Sequence, residues 1–562
     1  MTSRTSADES DAPSGRTVGG KVVGGDVADA RQRRARIVAA CAIAASLLLA
    51  CVRLFFVSSP SGETPFQSAN DRSRWSAVRA LVDHGTFELD PVLVKDPQAT
   101  VRREKYDLEW ETIDKVRHKG WDGREHYYSS KPVLSYLPHA AVYAALKATT
   151  GIEFAKSPFT VAWIVLLLTQ ILPFGLGLWL FSRYVLRKTT SPRTVGLLVL
   201  FAGVGTLLSP FLVTLNNHVP AAIAIGLALT FLLRREDEQP PGWRCFLLMG
   251  FFAGYAAANE LPALSFACLL GGYLLLRSPA KTLLAYVPGA ALVAVAAFGA
   301  NYLAHGQLRP PYAMREDGPL VMLYAADRSG FEQGKLPRDF RDEMKEQGYT
   351  FSPRATVQRS ERPGRFVLWD PATSTRLALI ERENGLDVRE WGNWYDYPGS
   401  YWYYGRKSDV DLGEPSRAAY AFHVLIGHHG VFSLTPMWLL AIPGVLLFLR
   451  RDWRRPRTAV TWMTLIVTVV CIGFYIMRPL EDRNYGGVAS GLRWAFWLIP
   501  FWLIAVVEPT SKLMQRPLGV AAVLLLFAVS CFSASEPWAT PWQHPWLYRV
   551  WQANVATPEA PG

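Results

Sequence analysis

Along the chain, apolar residues gather into runs of about 14 to 24 residues separated by short polar connectors. Such runs are too long for buried strands and match the length of helices that pass repeatedly through a bilayer. They fall at about 37–57, 159–182, 194–215, 217–233, 245–258, 261–276, 282–303, 433–449, 458–477, 494–507 and 517–534. This pattern predicts an all-α polytopic membrane protein with about eleven transmembrane helices and two large extracytoplasmic segments containing amphipathic surface helices. Residues 1–36 carry few large apolar side chains and end in Arg31, Arg33, Arg34 and Arg36, which predicts a disordered basic cytoplasmic tail before an uncleaved anchor. The predicted organisation is a transmembrane module over 37–303 with its first outer loop at 58–158, an outer segment at 304–432, C-terminal helices over 433–534, and a Trp-rich outer tail over 535–562. Within 245–276 two short apolar pieces flank Asn259-Glu260. They read either as two spans or as one broken helix, and the second reading would invert everything downstream.

Charge sets the orientation. Half of the 562 residues are apolar and only 19% charged, which excludes a soluble enzyme. The net charge of +12 would suit nucleic acid in a soluble chain. Here the excess sits in short connectors, at Arg183, Arg187, Lys188 and Arg193, at Arg234, Arg235 and Arg244, at Arg277 and Lys281, and from Arg450 to Arg457, as the positive-inside rule requires of cytoplasmic loops. The alternate turns Asn216-Asn217-His218 and Asn259-Glu260-Leu261-Pro262 carry no Lys or Arg. The expectation is an integral protein of a bacterial-type plasma membrane with a cytoplasmic N-terminus, outer-face chemistry and no nucleic-acid partner. The six cysteines lie in or at the ends of apolar runs and predict neither a disulfide framework nor a cysteine metal site. All ten histidines fall on the outer side of this scheme. Residues 133–149 are apolar enough to span, but counting them would move the basic connector 183–193 outside, so they read as a helix lying on the surface. Aromatics crowd 391–404 and recur at Trp538, Trp542, Trp546 and Trp551. They fit an interfacial belt or a sugar-stacking face.

Several polar groups carry candidate chemistry. In Asn70-Asp71-Arg72-Ser73-Arg74-Trp75 the residues Trp75, Val78 and Leu81 share one face of a predicted amphipathic helix and leave Asp71 at its N-terminal end, where an Asp also serves simply as a cap. Lys131, just before Pro132, stands at the predicted start of the surface helix, a place suited to a phosphate or to an anchoring lysine. Glu260 is an acid at an outer helix turn. His428 and His429 are weak metal candidates, with no HExxH pattern or carboxylate-rich stretch nearby. Arg478 and Arg483 flank an outer turn that ends in Gly486-Gly487.

The pair Asp71-x-x-Arg74-Trp75 and Tyr127-Tyr128-Ser129-Ser130-Lys131-Pro132 resembles the first outer loop of C-type (GT-C) glycosyltransferases, a group that includes the protein O-mannosyltransferases and the lipid A aminoarabinose transferase. The resemblance covers about residues 37–310. It implies a multi-helix membrane bundle, a polyprenyl-phosphate-linked sugar donor, and inverting transfer on the outer face. Carried over, Asp71 matches the acidic residue near the acceptor, Lys131 the lysine near the donor phosphate, and Arg493 the arginine that opens a late helix. Arg478 and Arg483 add cations for the phosphate, and Arg74, Tyr128, His218 and Glu260 are expected at the substrate. Two departures stand out. Arg72 follows Asp71 where relatives have a second acid, and Asn216-Asn217-His218 occupies another acidic position.

The chemistry has its own logic. One carboxylate takes the acceptor proton, a role worth about 10² to 10⁴ in rate, and cations stabilise the departing phosphate. That leaving group needs no second acid to protonate it. The expected partners are the polyprenyl-phosphate sugar, a glycan, lipid or protein acceptor, and membrane lipids. No cofactor is required by the sequence, and a divalent ion stays open. The competing readings are a polytopic transporter or lipid flippase, and a non-catalytic membrane scaffold.

Overall fold

A computed structural model describes residues 22–93, 107–234, 242–325, 329–360, 364–373, 375–402 and 406–555. It is mostly helical. The first helix, α1 (Val22–Phe56), begins fourteen residues before the predicted boundary at 36, so part of the expected disordered tail is helical. The remainder of that tail, with Arg235, Tyr403 and Tyr404, lies outside the described residues. Among the described residues, six helices are long and apolar enough to cross a membrane: Asp29–Phe56, Pro158–Lys188, Pro279–His305, Pro456–Ile476, Arg493–Leu513 and Pro517–Ser535. Their outward faces keep large apolar side chains exposed, such as Leu48, Leu284, Val295, Leu303 and Leu518. Exposure of this kind costs nothing against lipid.

The other predicted spans are shorter or broken, and proline accounts for most of it. The run 194–215 is helical only over Pro192–Val204, then turns through a 3-10 segment at Ser209–Val213 that contains Pro210. The run 433–449 breaks into Val431–Leu434, Pro436–Leu440 and Ala441–Leu446, because Pro436 lacks the N–H that a continuous helix would use. In Pro158–Lys188 a π turn at Leu167–Ile171 accommodates Pro173, and it lets Gln170 donate to the Thr214 carbonyl at 2.7 Å.

Residues 243–277 form a hairpin of two helices, Trp243–Asn259 and Leu264–Arg277, joined at Glu260. Gly250 and Gly271, nearly equidistant from that turn, both pack against Tyr286, so the two helices run side by side in opposite directions. The structure thus has two antiparallel helices here rather than one broken helix. Close approach is bought with small residues: a Cβ on Gly250 would stand 2.0 Å from the Tyr286 carbonyl oxygen.

The basic connectors gather at one end of the bundle. Arg187 donates to the carbonyls of Leu233 and Arg234, Tyr273 donates to that of Arg454, and Arg457 lies 3.6 Å from Glu508. The polar turns around Asn217 and Glu260 meet the 58–158 segment at the opposite end.

At that polar end the architecture departs from the all-α expectation. Residues 320–390 form a five-stranded antiparallel sheet of order β3-β7-β6-β5-β4, with β3 Leu320–Tyr324, β4 Thr356–Arg359, β5 Arg365–Asp370, β6 Thr375–Arg382 and β7 Gly385–Glu390. Phe366 and Leu368, Leu377 and Leu379, and Leu386 and Val388 alternate onto one face and bury Phe340 and Met344 of the helix Arg338–Glu346. These alternations last only a few residues in a charged background, so a reading tuned to long apolar runs passes over them.

The first polar segment contains α2 (Ala69–His84), the hairpin of β1 (Lys115–Lys119) and β2 (Glu125–Ser129), and α3 (Val133–Thr150). An aromatic cluster of Phe66, Trp75, Trp110 and Phe154, mostly edge to face, holds α2 in place. The second segment docks on the hairpin. Arg117 N–H donates to the Trp394 carbonyl at 2.9 Å, and the His118 ring stacks between Tyr128 and Trp394.

Candidate active site

The site grows from the start of α2. Ser68 caps the helix, accepting from the amides of Asn70 and Asp71, and the Asp71 carboxylate reaches back to the Ser68 N–H at 3.0 Å. This reciprocal capping box pins the Asp71 side chain. Its second oxygen accepts from the Gln67 amide at 3.3 Å and from the Thr214 hydroxyl at 2.9 Å. Asp71 is fully buried. Burial raises it to about 6, against the opposing pull of these hydrogen bonds and of Arg72. The expected cap is therefore present, and the same residue is a carboxylate whose proton affinity has moved toward neutrality.

Thr214 links Asp71 to the far end of the chain. Its hydroxyl accepts from the Trp542 indole N–H at 3.0 Å, and the Arg493 guanidinium lies over the Trp542 ring, 4.6 Å from its centroid. Arg493 is buried, its Nε has no hydrogen-bond partner, and among the described residues no carboxylate lies within ion-pair distance of it. Gly486 makes this position available. Its backbone is left-handed at φ 93°, and a Cβ there would stand 2.5 Å from Arg493 Nε.

One helical turn beyond Asp71, Arg74 is buried and donates to the Asn70 carbonyl and side chain and to the Asn217 side-chain oxygen. Asn217 in turn donates to Glu260 at 2.6 Å, and Glu260 contacts His218. An acid, Glu260, thus lies against the Asn216-Asn217-His218 turn. Asn216 is structural: its side-chain oxygen accepts from the Val219 N–H in the first turn of the helix His218–Leu233. Burial and the like charge of Arg493 lower Arg74 to about 10. Two buried guanidiniums therefore share one electrostatic environment, and neither has a carboxylate within ion-pair distance among the described residues.

Lys131 is placed by the hairpin. The register pairs Lys115 with Ser129, so the residues just outside the ladder, Asp114 and Ser130-Lys131, come together. Ser130 N–H donates to the Asp114 carbonyl, and Lys131 Nζ lies 2.7 Å from Asp114 Oδ2. Ser73 of α2 donates to the Asp114 carbonyl and touches the Ser129 hydroxyl, which fastens the hairpin's open end to the helix that carries Asp71. Burial lowers Lys131 to about 8 even though Asp114 opposes it. Burial alone would raise Asp114, but Lys131, Arg493 and Arg74 hold it below the usual carboxylate range.

The structure thus brings together Asp71, Arg74, Lys131, His218, Glu260 and Arg493. Tyr128 is placed elsewhere, stacked on His118 with its hydroxyl toward Glu88. Arg478 pairs with Asp482 within its own loop, and Arg483 donates to the carbonyls of Glu414 and Pro415 in the loop before the helix Arg417–Leu425, so both are committed elsewhere. His428 and His429 contact each other and Tyr485. Sequence reasoning missed Asp114 and Thr214, and took Trp542 only as one of four tail tryptophans. The Asp122-Gly123 turn between two short alternating runs is a hairpin signal that would have located Asp114. Nothing local marks Thr214 or singles out Trp542 among the tail tryptophans. Among the described residues, the group of three metal-type donors with ligand spacing is Glu414, His423 and His428, apart from these groups.

No family model and no curated protein matches the chain. Among solved structures it is similar to the Archaeoglobus fulgidus oligosaccharyltransferase in its apo form, at 10% identity and a TM-score of 0.44, over 93% of this chain and 58% of that one. It is similar also to ArnT from Cupriavidus metallidurans bound to undecaprenyl phosphate, at 12% identity and a TM-score of 0.39, over 89% and 64%. A third is the S. cerevisiae protein O-mannosyltransferase Pmt1–Pmt2 complex bound to the sugar donor, at 10% identity and a TM-score of 0.42, over 93% and 92%. The chain spans less than two thirds of the length of the first two.

Proposed function

We propose that this chain is an inverting membrane glycosyltransferase that moves a sugar from a polyprenyl-phosphate-linked donor to an acceptor hydroxyl on the extracytoplasmic face of a bacterial-type plasma membrane. The observation that carries the reading is the pair of buried guanidiniums, Arg493 and Arg74, held close to Lys131 and on the same hydrogen-bonded framework as a buried carboxylate of raised proton affinity. Cations without carboxylate partners are arranged for an anion, and a carboxylate near 6 is matched to accepting a proton near neutral pH. The motif resemblance at Asp71 and Lys131 points to the same chemistry.

In the proposed step the acceptor oxygen attacks the anomeric carbon and the bond from that carbon to the phosphate oxygen breaks. The acceptor proton passes to Asp71, displacing the Thr214 hydroxyl from Oδ2. The negative charge left on the lipid phosphate is stabilised by Arg493 and Lys131, while Arg74, His218 and Glu260 position the substrates. The acceptor is a glycan, a lipid or a protein hydroxyl.

The test is release of polyprenyl phosphate from a panel of polyprenyl-phosphate sugars by the purified full-length protein in detergent, with crude membranes as acceptor and with and without chelator. Release by wild type and its loss in Asp71→Asn is the expected result. No release from any donor by folded protein overturns the reading in favour of a transporter or scaffold.

A further inference from the structure

On the same polar end, a second cluster of titratable groups lies outside the proposed transfer chemistry. Glu414 precedes the helix Arg417–Leu425, His423 sits in the last turn of that helix, and His428 follows the turn Ile426-Gly427. One donor atom from each lies within 4.8 Å of the others. The close approach is local in origin. The helix ends at Leu425, and the Gly427 N–H folds back to the Phe422 carbonyl at 2.8 Å. A Cβ on residue 427 would stand 2.6 Å from His423 Nδ1, so glycine allows the imidazole to lie over the turn and stack on His428 with centroids 3.8 Å apart.

Simple packing does not account for the polar atoms. His423 Nδ1 is buried with no hydrogen-bond partner, and so is Nε2 of the fully buried His429. His428 Nδ1 meets His429 Nδ1. One nitrogen of that contact must carry the proton, which fixes both tautomers. Glu414 is held from behind by the Tyr485 hydroxyl at 2.7 Å on Oε1, the outer support that orients metal-ligating carboxylates.

We propose that Glu414, His423 and His428 form a site for a divalent transition-metal ion of the zinc type, with a coordination position left to water. Two imidazoles and one carboxylate are a donor set that zinc accepts at about 2.0–2.2 Å. Ligands on such a sphere stand about 3.4 Å apart, so the cluster closes by roughly an ångström through side-chain rotation. The ion is structural in position. It ties the loop at Glu414 to the helix that follows, and through Tyr485 to the Gly486-Gly487 backbone that packs beside Arg493.

The experiment uses full-length protein in detergent, stripped with chelator and titrated with Co²⁺ as a spectroscopic probe, then with Zn²⁺. Wild type is expected to bind one Co²⁺ per chain with visible d–d absorption, to lose the band on adding Zn²⁺, and to unfold at a higher temperature with Zn²⁺ than without. His428→Ala and Glu414→Gln are expected to lose the band, and His544→Ala, whose side chain pairs with Asp409, is expected to keep it. The proposal is overturned if wild type fails to bind stoichiometrically, if both ligand variants retain the band, or if His544→Ala alone abolishes it. The wild-type titration decides even where a variant does not fold, and it reads metal binding independently of transfer activity.

Discussion

Replacing Asp114 by Asn keeps the side chain's volume and removes the charge 2.7 Å from the Lys131 ammonium. In the native site Lys131 stands at about 8, lowered by burial and by the like charges of Arg74 and Arg493, with Asp114 as the opposing influence. Two unit charges at this separation interact by about 6 kcal/mol at an effective dielectric constant of about 20, an upper bound for what Asp114 contributes. Truncating one member of a buried, hydrogen-bonded pair costs about 2–5 kcal/mol. Even the lower figure is about 1.5 pH units at about 1.4 kcal/mol per unit.

Lys131 in Asp114→Asn is therefore lowered to about 6.5 or less and loses its proton as pH rises through that value. In the proposed reaction the ammonium stabilises the phosphate, so activity is expected to fall as pH rises through the Lys131 value. The acid limb is set by Asp71 at about 6 and requires the carboxylate, so activity rises as pH rises through that value. Wild-type kcat/KM for polyprenyl-phosphate release is expected to be bell-shaped between these limbs. The Asp114→Asn profile collapses on its basic side, losing roughly tenfold at pH 7.5. Lys131→Arg, which stays charged throughout, abolishes the limb near 8. A basic limb that remains near 8 in either variant refutes the assignment of that limb to the Lys131–Asp114 pair.

Asp71→Asn is expected to lower turnover by about 10²–10⁴ and to remove the limb near 6 from any residual rate, while Ser68 still caps α2 and the unfolding temperature moves little; undiminished turnover would exclude Asp71 as the base. Arg493→Ala is expected to weaken inhibition by polyprenyl phosphate roughly 10- to 100-fold, the worth of one charge-assisted hydrogen bond of about 1.5–3 kcal/mol, with Arg493→Lys in between; an unchanged inhibition constant would remove Arg493 from the phosphate. Trp75→Ala, which removes the α2 ring packed on Phe66 and Phe154, is expected to cost about 3–5 kcal/mol in chemical denaturation, and a cost below about 1 kcal/mol would show that the cluster does not hold α2.

The long apolar runs, the separation of basic connectors from turns without Lys or Arg, and the capped helix that places Asp71 were legible in the chain because each rests on local patterning. A bilayer selects apolar length, the positive-inside rule counts charges in short loops, and a capping box spans four residues. Proline positions even mark where the runs at 194–215 and 433–449 break. The pairing of Asp114 with Lys131, the bridge from Arg74 through Asn217 to Glu260, the placing of Arg493 on Trp542, and the five-stranded sheet were decided only in the tertiary structure. Arg74 and Asn217 are 143 residues apart. Contacts at such separations leave no periodic trace, because they depend on which helix ends the packing of the whole bundle brings to one place, and that packing is a property of all the apolar faces together rather than of any one segment.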